Sequence, residues 1–386
     1  MYINRRSHVK SLRAFCVATL TLSAVSAARP GNGQNPDYLV WVASEATDRI
    51  ALVRFSPATA TARVEREFTI GLLPTDPDGP HGLTVSPDGR FLFVSTAHGE
   101  PYGFLWKIDA ATAKIAGRVE LGMFPATVAL TPDGAFAFVV NFNLHGDMVP
   151  SSVSAVSTAE MLEVARIPTC TMPHGSRINP QGTKHYSACM MDDQIVEIDT
   201  RTFGVARTFS VNKGEEVALT GPPATEHTAH SAPRTAHTPT CSPTWAQPSA
   251  DGTAVYVACN KSNEVLEIDV ARWTLTRRLK AGDGVYNLAA THDGRWLVAT
   301  NKRGQSVSIF DLAAGRELAR VATKRPIVHG VVVSPDDRYA FVSVEGVGSQ
   351  PGTVEVIDLR TRTAIAAADV GQMAGGIDFW KTEGGH

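Results

Sequence analysis

Three histidines, each of a kind that can ligate a metal or relay a proton, recur in one local setting. His81 and His174 each stand just after a proline and just before a glycine, and His329 follows Val328 and precedes Gly330. Imidazole titrates near neutral pH and is a common metal ligand, so such a set can bind a metal or an anionic ligand. A second group surrounds them in sequence. Cys170-Thr-Met172-Pro-His174 is followed by Cys189-Met190-Met191-Asp192-Asp193, with Cys241 and Cys259 farther on. Thiolate, thioether and imidazole donors together suit copper, with zinc next. Cys189, His174, Cys170 and His98 are the candidate ligands, and Asn143, His145 and Met148 lie in a neighbouring segment. An even number of cysteines beyond the leader of an exported chain favours disulfide bonding over that metal set, and four cysteines allow three pairings. No Cys-x-x-Cys or His-Glu-x-x-His spacing decides between them.

The elements that must position these residues form a repeat. His81-Gly-Leu-Thr-Val-Ser-Pro-Asp88-Gly-Arg-Phe-Leu-Phe-Val-Ser95 returns from Ala126, His174, Thr244, Tyr286 and His329. The turn positions Asp88, Asp133, Gln181, Asp251, Asp293 and Asp336 are 45, 48, 70, 42 and 43 residues apart. Each unit reads as two alternating segments around a tight turn, a third strand ending in Ile-Asp or Phe-Asp, and a short fourth strand. Four antiparallel strands in about 45 residues is the arithmetic of a β-propeller blade. Residues 38–71 supply three strands without an inner one, and Gly375-Gly-Ile-Asp-Phe-Trp380 supplies an inner strand without a blade. The expected fold is therefore all-β: one seven-bladed propeller over 38–380, closed by the C-terminal strand joining the N-terminal blade. A linker at 29–37 precedes it and a tail at 381–386 follows.

Strand order then places the chemistry. The first residue of each inner strand rims the channel mouth on one face, the top: Gly375, His81, Ala126, His174, Thr244, Tyr286 and His329. Loops after each second strand lie on the same face. His81, His174, Tyr286 and His329 are thus the expected ligand-binding rim. The one long gap holds a Pro/Thr/His-rich insertion at 212–241, read as a top-face loop or lid carrying His227, His230 and His237 and ending at Cys241. Carboxylates suited to hydrolysis at the mouth are Glu345 and Asp192 or Asp193. Arg177 falls on an inner strand and Arg303 on a top loop.

Val255-Tyr-Val-Ala-Cys-Asn-Lys-Ser-Asn-Glu-Val-Leu-Glu-Ile-Asp269 resembles the repeat of YVTN-type seven-bladed propellers. Their wider group includes propeller lactonases and the propeller of nitrous oxide reductase. The resemblance implies a ligand or partner site at the channel mouth; it does not specify an activity, because function lives in sites grafted on folds. The expected function is an exported binding or scaffold protein, probed at its mouth by a small molecule or a protein. The alternatives are a copper-dependent oxidoreductase or electron-transfer component, and after it a lactonase-type hydrolase.

Charge and composition exclude other classes. The 386 residues are 43% hydrophobic and 19% charged, which excludes wholesale disorder and long coiled coils. Formal charge is −2, so no basic surface asks for nucleic acid. Arg5, Arg6, Lys10 and Arg13, then a small apolar run ending near Ala28, read as a cleaved export signal at 1–28. Its removal takes the charge to −6. No later run reaches the ~20 apolar residues a membrane helix needs. The expected product is an exported, periplasmic or extracellular, monomeric propeller.

Overall fold

The computed structural model describes residues 35–73, 77–98, 102–220 and 238–384, together with Met1. Seven antiparallel sheets follow one another around a ring. Blade 1 is composite: Ala374–Glu383 is innermost, followed by Asp37–Ser44, Arg49–Ser56 and Thr61–Thr69. The two ends of the described chain meet there antiparallel, with Val42 opposite Ile377 and Trp41 opposite Asp378. Arg54 ties this clasp by reaching both Asp37 at 3.1 Å and Glu383 at 2.6 Å. The expected ring closure is present, and the closing strand continues to Glu383.

Blades 2 to 7 each begin with a six-residue inner strand: Pro80–Val85, Pro125–Leu130, Pro173–Ile178, Pro243–Pro248, Val285–Ala290 and Val328–Val333. Between blades the sheets bury alternating aliphatic and aromatic residues, as in the Tyr38, Phe55, Tyr339 and Phe341 cluster joining blades 7 and 1. Burying one such large side chain stabilises by about 1.5–3 kcal/mol. Blade 4 carries a fifth strand, Val217–Leu219, at the start of the insertion. Sequence reading treats that stretch as loop; pairing against Thr208–Ser210 satisfies its backbone groups.

Two local rules aim the rim inward. The residue two positions before each rim residue has a left-handed backbone, with φ between 48° and 65° at Gly79, Phe124, Met172, Ser242, Gly284, Ile327 and Met373. Five of these are not glycine, and a β-branched residue such as Ile327 rarely adopts this conformation. The ring geometry holds it there. Second, the inner strands crowd together near the axis. A Cβ on Gly82 would lie 1.9 Å from the Ala126 carbonyl oxygen, and one on Gly330 would lie 2.5 Å from that of Gly375. That approach explains the glycine after His81 and after His329.

Candidate functional site

Neighbouring blades hold one another at the rim through hydroxyls. Ser95, Thr300 and Ser343, each fifth in a second strand, donate to the rim carbonyls of Ala126, His329 and Gly375 at 2.5–2.9 Å. In blade 4 that position is Ala188, so the Thr244 carbonyl is left to another donor. His174 takes it: Nδ1 lies 3.0 Å from the Thr244 oxygen. A carbonyl only accepts, so Nδ1 carries the proton and Nε2 presents a lone pair. The Tyr286 hydroxyl donates to that lone pair across 3.1 Å.

His81 is oriented from the opposite side. The first top loop of blade 1 forms a short 3-10 turn, Glu45–Thr47, and its buried Glu45 carboxylate bridges two histidines. His81 Nδ1 meets Oε2 at 2.7 Å, and His98 Nε2 meets Oε1. Burial would raise the Glu45 carboxyl, but the two imidazoles outweigh it and hold it well below the usual carboxylate range. The same bond raises His98 above its ordinary value, against the opposing effect of its partial burial. With Nδ1 committed to Glu45, His81 Nε2 is buried and finds no protein partner.

His329 also carries a buried, unpartnered ring nitrogen, Nδ1. Its Nε2 is 3.8 Å from Glu345, which itself pairs with Lys302 at 2.8 Å. Lys302 caps the Tyr286 ring, its Nζ 4.4 Å from the centroid. Burial holds His174 neutral, its pKa pushed down to about 3, and the nearby His81 adds to the effect. Burial and Lys302 likewise depress His329 well below the histidine range.

The four expected rim side chains therefore converge on the axis. Ring centroids are 5.4 Å apart for His81 and His329, 6.1 Å for His81 and His174, 5.4 Å for His174 and Tyr286, and 4.9 Å for Tyr286 and His329. They floor a top-face cavity of about 650 Å³. Phe124, Phe142, Leu144, Met190, Ile327 and Met373 make its apolar wall. Phe124, Ile327 and Met373 are three of the left-handed residues, so the strained crossovers also shape the wall. Beneath the histidines lies a cavity of about 30 Å³, then a bottom-face recess of about 230 Å³ with Arg177 and Asp378.

The cysteines form disulfides, the favoured of the two readings, and the copper set with Cys170 and Cys189 is overturned. Cys170 is bonded to Cys189 and Cys241 to Cys259, all four buried. One bridge ties the end of blade 3's outer strand, Leu162–Thr171, to the end of blade 4's second strand, and the other ties the crossover entering blade 5 to the end of that blade's second strand. Cys170 and Cys189 thus offer no thiolate, because each sulfur is spent on its partner. Pro173 lies opposite Cys189. His98 does not line the cavity; its ring is 5.5 Å from that of His145 and it is bound to Glu45. Among the described residues, no three His, Cys, Asp or Glu side chains already form a metal-ligand set.

Other expected residues are structural. Asp192 accepts from the Thr171 amide, and Asp193 from the Thr240 and Ser242 amides, capping the entry to blades 4 and 5. Arg303 is held by Asp283 and Asn260 at the cavity edge, and Arg177 stacks on Trp245 inside the channel. Met148 is exposed and lines no part of the cavity. His227, His230 and His237 lie outside the described residues. Sequence reasoning missed Glu45 and Lys302. Both sit in loops after a second strand, the class already placed on the top face, so aligning those loops blade by blade would have found them.

No protein-family model and no curated protein matches the chain. Solved structures do. Hydrazine synthase of Kuenenia stuttgartiensis superposes with a TM-score of 0.60 at 22% identity, over 78% of this chain and 91% of that one. A functionally unknown protein from Desulfotomaculum acetoxidans superposes with a TM-score of 0.67 at 16% identity, over 89% and 98%. At these identities the likeness is one of fold, and the chain is a seven-bladed β-propeller.

Proposed function

We propose that this is an exported propeller whose top-face cavity binds a small molecule on a floor of imidazoles. One observation carries the reading: His81 Nε2 and His329 Nδ1 are buried, unpartnered, and belong to residues lining the 650 Å³ cavity. A buried polar atom without a partner is costly, about 1–3 kcal/mol, unless something else satisfies it. The cations at the cavity are engaged, Lys302 by Glu345 and Arg303 by Asp283. The unused groups favour a ligand that brings N–H or O–H donors, with an apolar body against Phe124 and Phe142. Two disulfides fit an oxidising compartment, and among the described residues no helix is long and apolar enough to cross a membrane. The repeat's resemblance to YVTN-type propellers supports the same assignment.

The test is a thermal-shift screen of small amines, phenols and alcohols against the mature protein. A hit held at 100 times its Kd adds about 2.7 kcal/mol of stability. The double variant His174→Ala/His329→Ala, checked for native circular dichroism, should lose that stabilisation. Hits that stabilise wild type and double variant alike would remove the rim from the account.

A further inference from the structure

We infer that the floor of this cavity is a binding site for a late first-row divalent cation, Zn2+ or Cu2+, held first by His81 Nε2 and His329 Nδ1 and completed by His174. The proposal deepens the small-molecule reading, since a bound ion would offer an open position to a ligand in the cavity.

Three features support it. Ring nitrogens that ligate metals nearly always belong to imidazoles whose other N–H is fixed by a carboxylate or a backbone carbonyl. His81 has Glu45 in that role and His174 has the Thr244 carbonyl, at 2.7 and 3.0 Å. The opposite nitrogens of His81 and His174 are therefore lone pairs, while His329, its Nε2 3.8 Å from Glu345, is free to present Nδ1 as one. Second, two imidazoles sharing one ion with bonds of about 2.0–2.1 Å place their centroids roughly 5–5.5 Å apart. His81 and His329 stand at 5.4 Å. Third, both unpartnered nitrogens are buried, and both residues line the cavity above as well as the small cavity below. An ion there would satisfy two orphaned atoms at once.

The set is one step short of complete. His174 is 6.1 Å from His81 by centroid and its lone pair is taken by Tyr286. Binding would exchange that hydrogen bond for a metal bond, leaving the Tyr286 hydroxyl beside the ion. An imidazole set without thiolate suits Cu2+ and Zn2+ above harder cations. The carboxylates of Glu45 and Glu345 face the site and offset the charge of Lys302.

The experiment is equilibrium dialysis of chelator-stripped mature protein with Zn2+, and Co2+ substitution read by its visible d–d absorption. The expected result is about one equivalent bound at about 10 micromolar free metal. His81→Gln and His329→Gln, each verified by circular dichroism and urea midpoint, should each weaken binding about 100-fold or more. His292→Gln, on an exposed bottom turn, should leave it unchanged. Less than about a tenth of an equivalent, or full binding retained in the double His81→Gln/His329→Gln variant, overturns the proposal. Should metal fail while a screening hit still needs His174 and His329, the cation alone is wrong. Should both fail, the mouth is not the binding site.

Discussion

His185 sits on the second strand of blade 4, fully buried, stacked on Phe138 at 5.2 Å, with neither ring nitrogen meeting a protein partner. Burial, aided by the charge of Arg177, pushes its pKa down to about 3. In the unfolded chain it titrates near 6.5. The folded value is the lower one, so the unfolded state takes up the proton first as pH falls. Stability is therefore complete above about pH 6.5 and is lost progressively from there toward pH 3. At about pH 5 the loss from this residue alone is about 2 kcal/mol, 1.5 units at 1.36 kcal/mol each. His185→Leu, close in volume, removes the titration. Urea unfolding of both proteins at about pH 7.5 and about pH 5 isolates the effect as a double difference, because the other buried histidines cancel. The variant should gain about 2 kcal/mol relative to wild type on acidification. It should also gain about 1 kcal/mol at the higher pH from losing a buried unpaired N–H. An identical wild-type-to-variant difference at both pH values would show that folded His185 accepts a proton as readily as the unfolded chain does, and the reasoning would fail.

Two further outcomes follow from the site's supports. Glu45→Gln removes the carboxylate that raises His98, so the His98 titration followed by NMR should move down; no movement would detach Glu45 from the pair. Cys241→Ser/Cys259→Ser opens an 18-residue link and should lower stability by about 2–4 kcal/mol, read as a urea midpoint shift that wild type reproduces on reduction.

The ring and its blade count were legible because a tight turn recurs every 42 to 48 residues outside the one insertion, and the closure because an inner strand was left over at the C-terminal end. The rim was legible for the same reason: once strand order is known, the first inner-strand residue must face the axis. What could not be read was pairing. Whether Cys170 meets Cys189 or Cys241 depends on register at the blade top, where irregular pairing puts Pro173 opposite Cys189. The His174 tautomer depends on Ala188 lacking the hydroxyl that Ser95, Thr300 and Ser343 offer a neighbour's carbonyl in other blades. Such facts are relations between blades, and periodicity along the chain does not carry them.

The clasp and the site are also one structure. Glu45 follows the strand that pairs with the C-terminal segment, and its amide donates to the Met373 carbonyl at 3.1 Å. Met373 belongs to the cavity wall, two residues before the rim glycine Gly375. The carboxylate orienting His81 is thus positioned by contact between the two ends of the ring. Gly375 and Gly376 in turn pack against the inner strands that carry His329 and His81, and at Gly376 a side chain would not fit: a Cβ there would lie 2.5 Å from the His81 carbonyl oxygen. Weakening closure at Arg54 and Glu383, far from the mouth, should therefore first loosen Glu45 and His81, before any blade unfolds. Opening the ring and losing the site are the same event at blade 1.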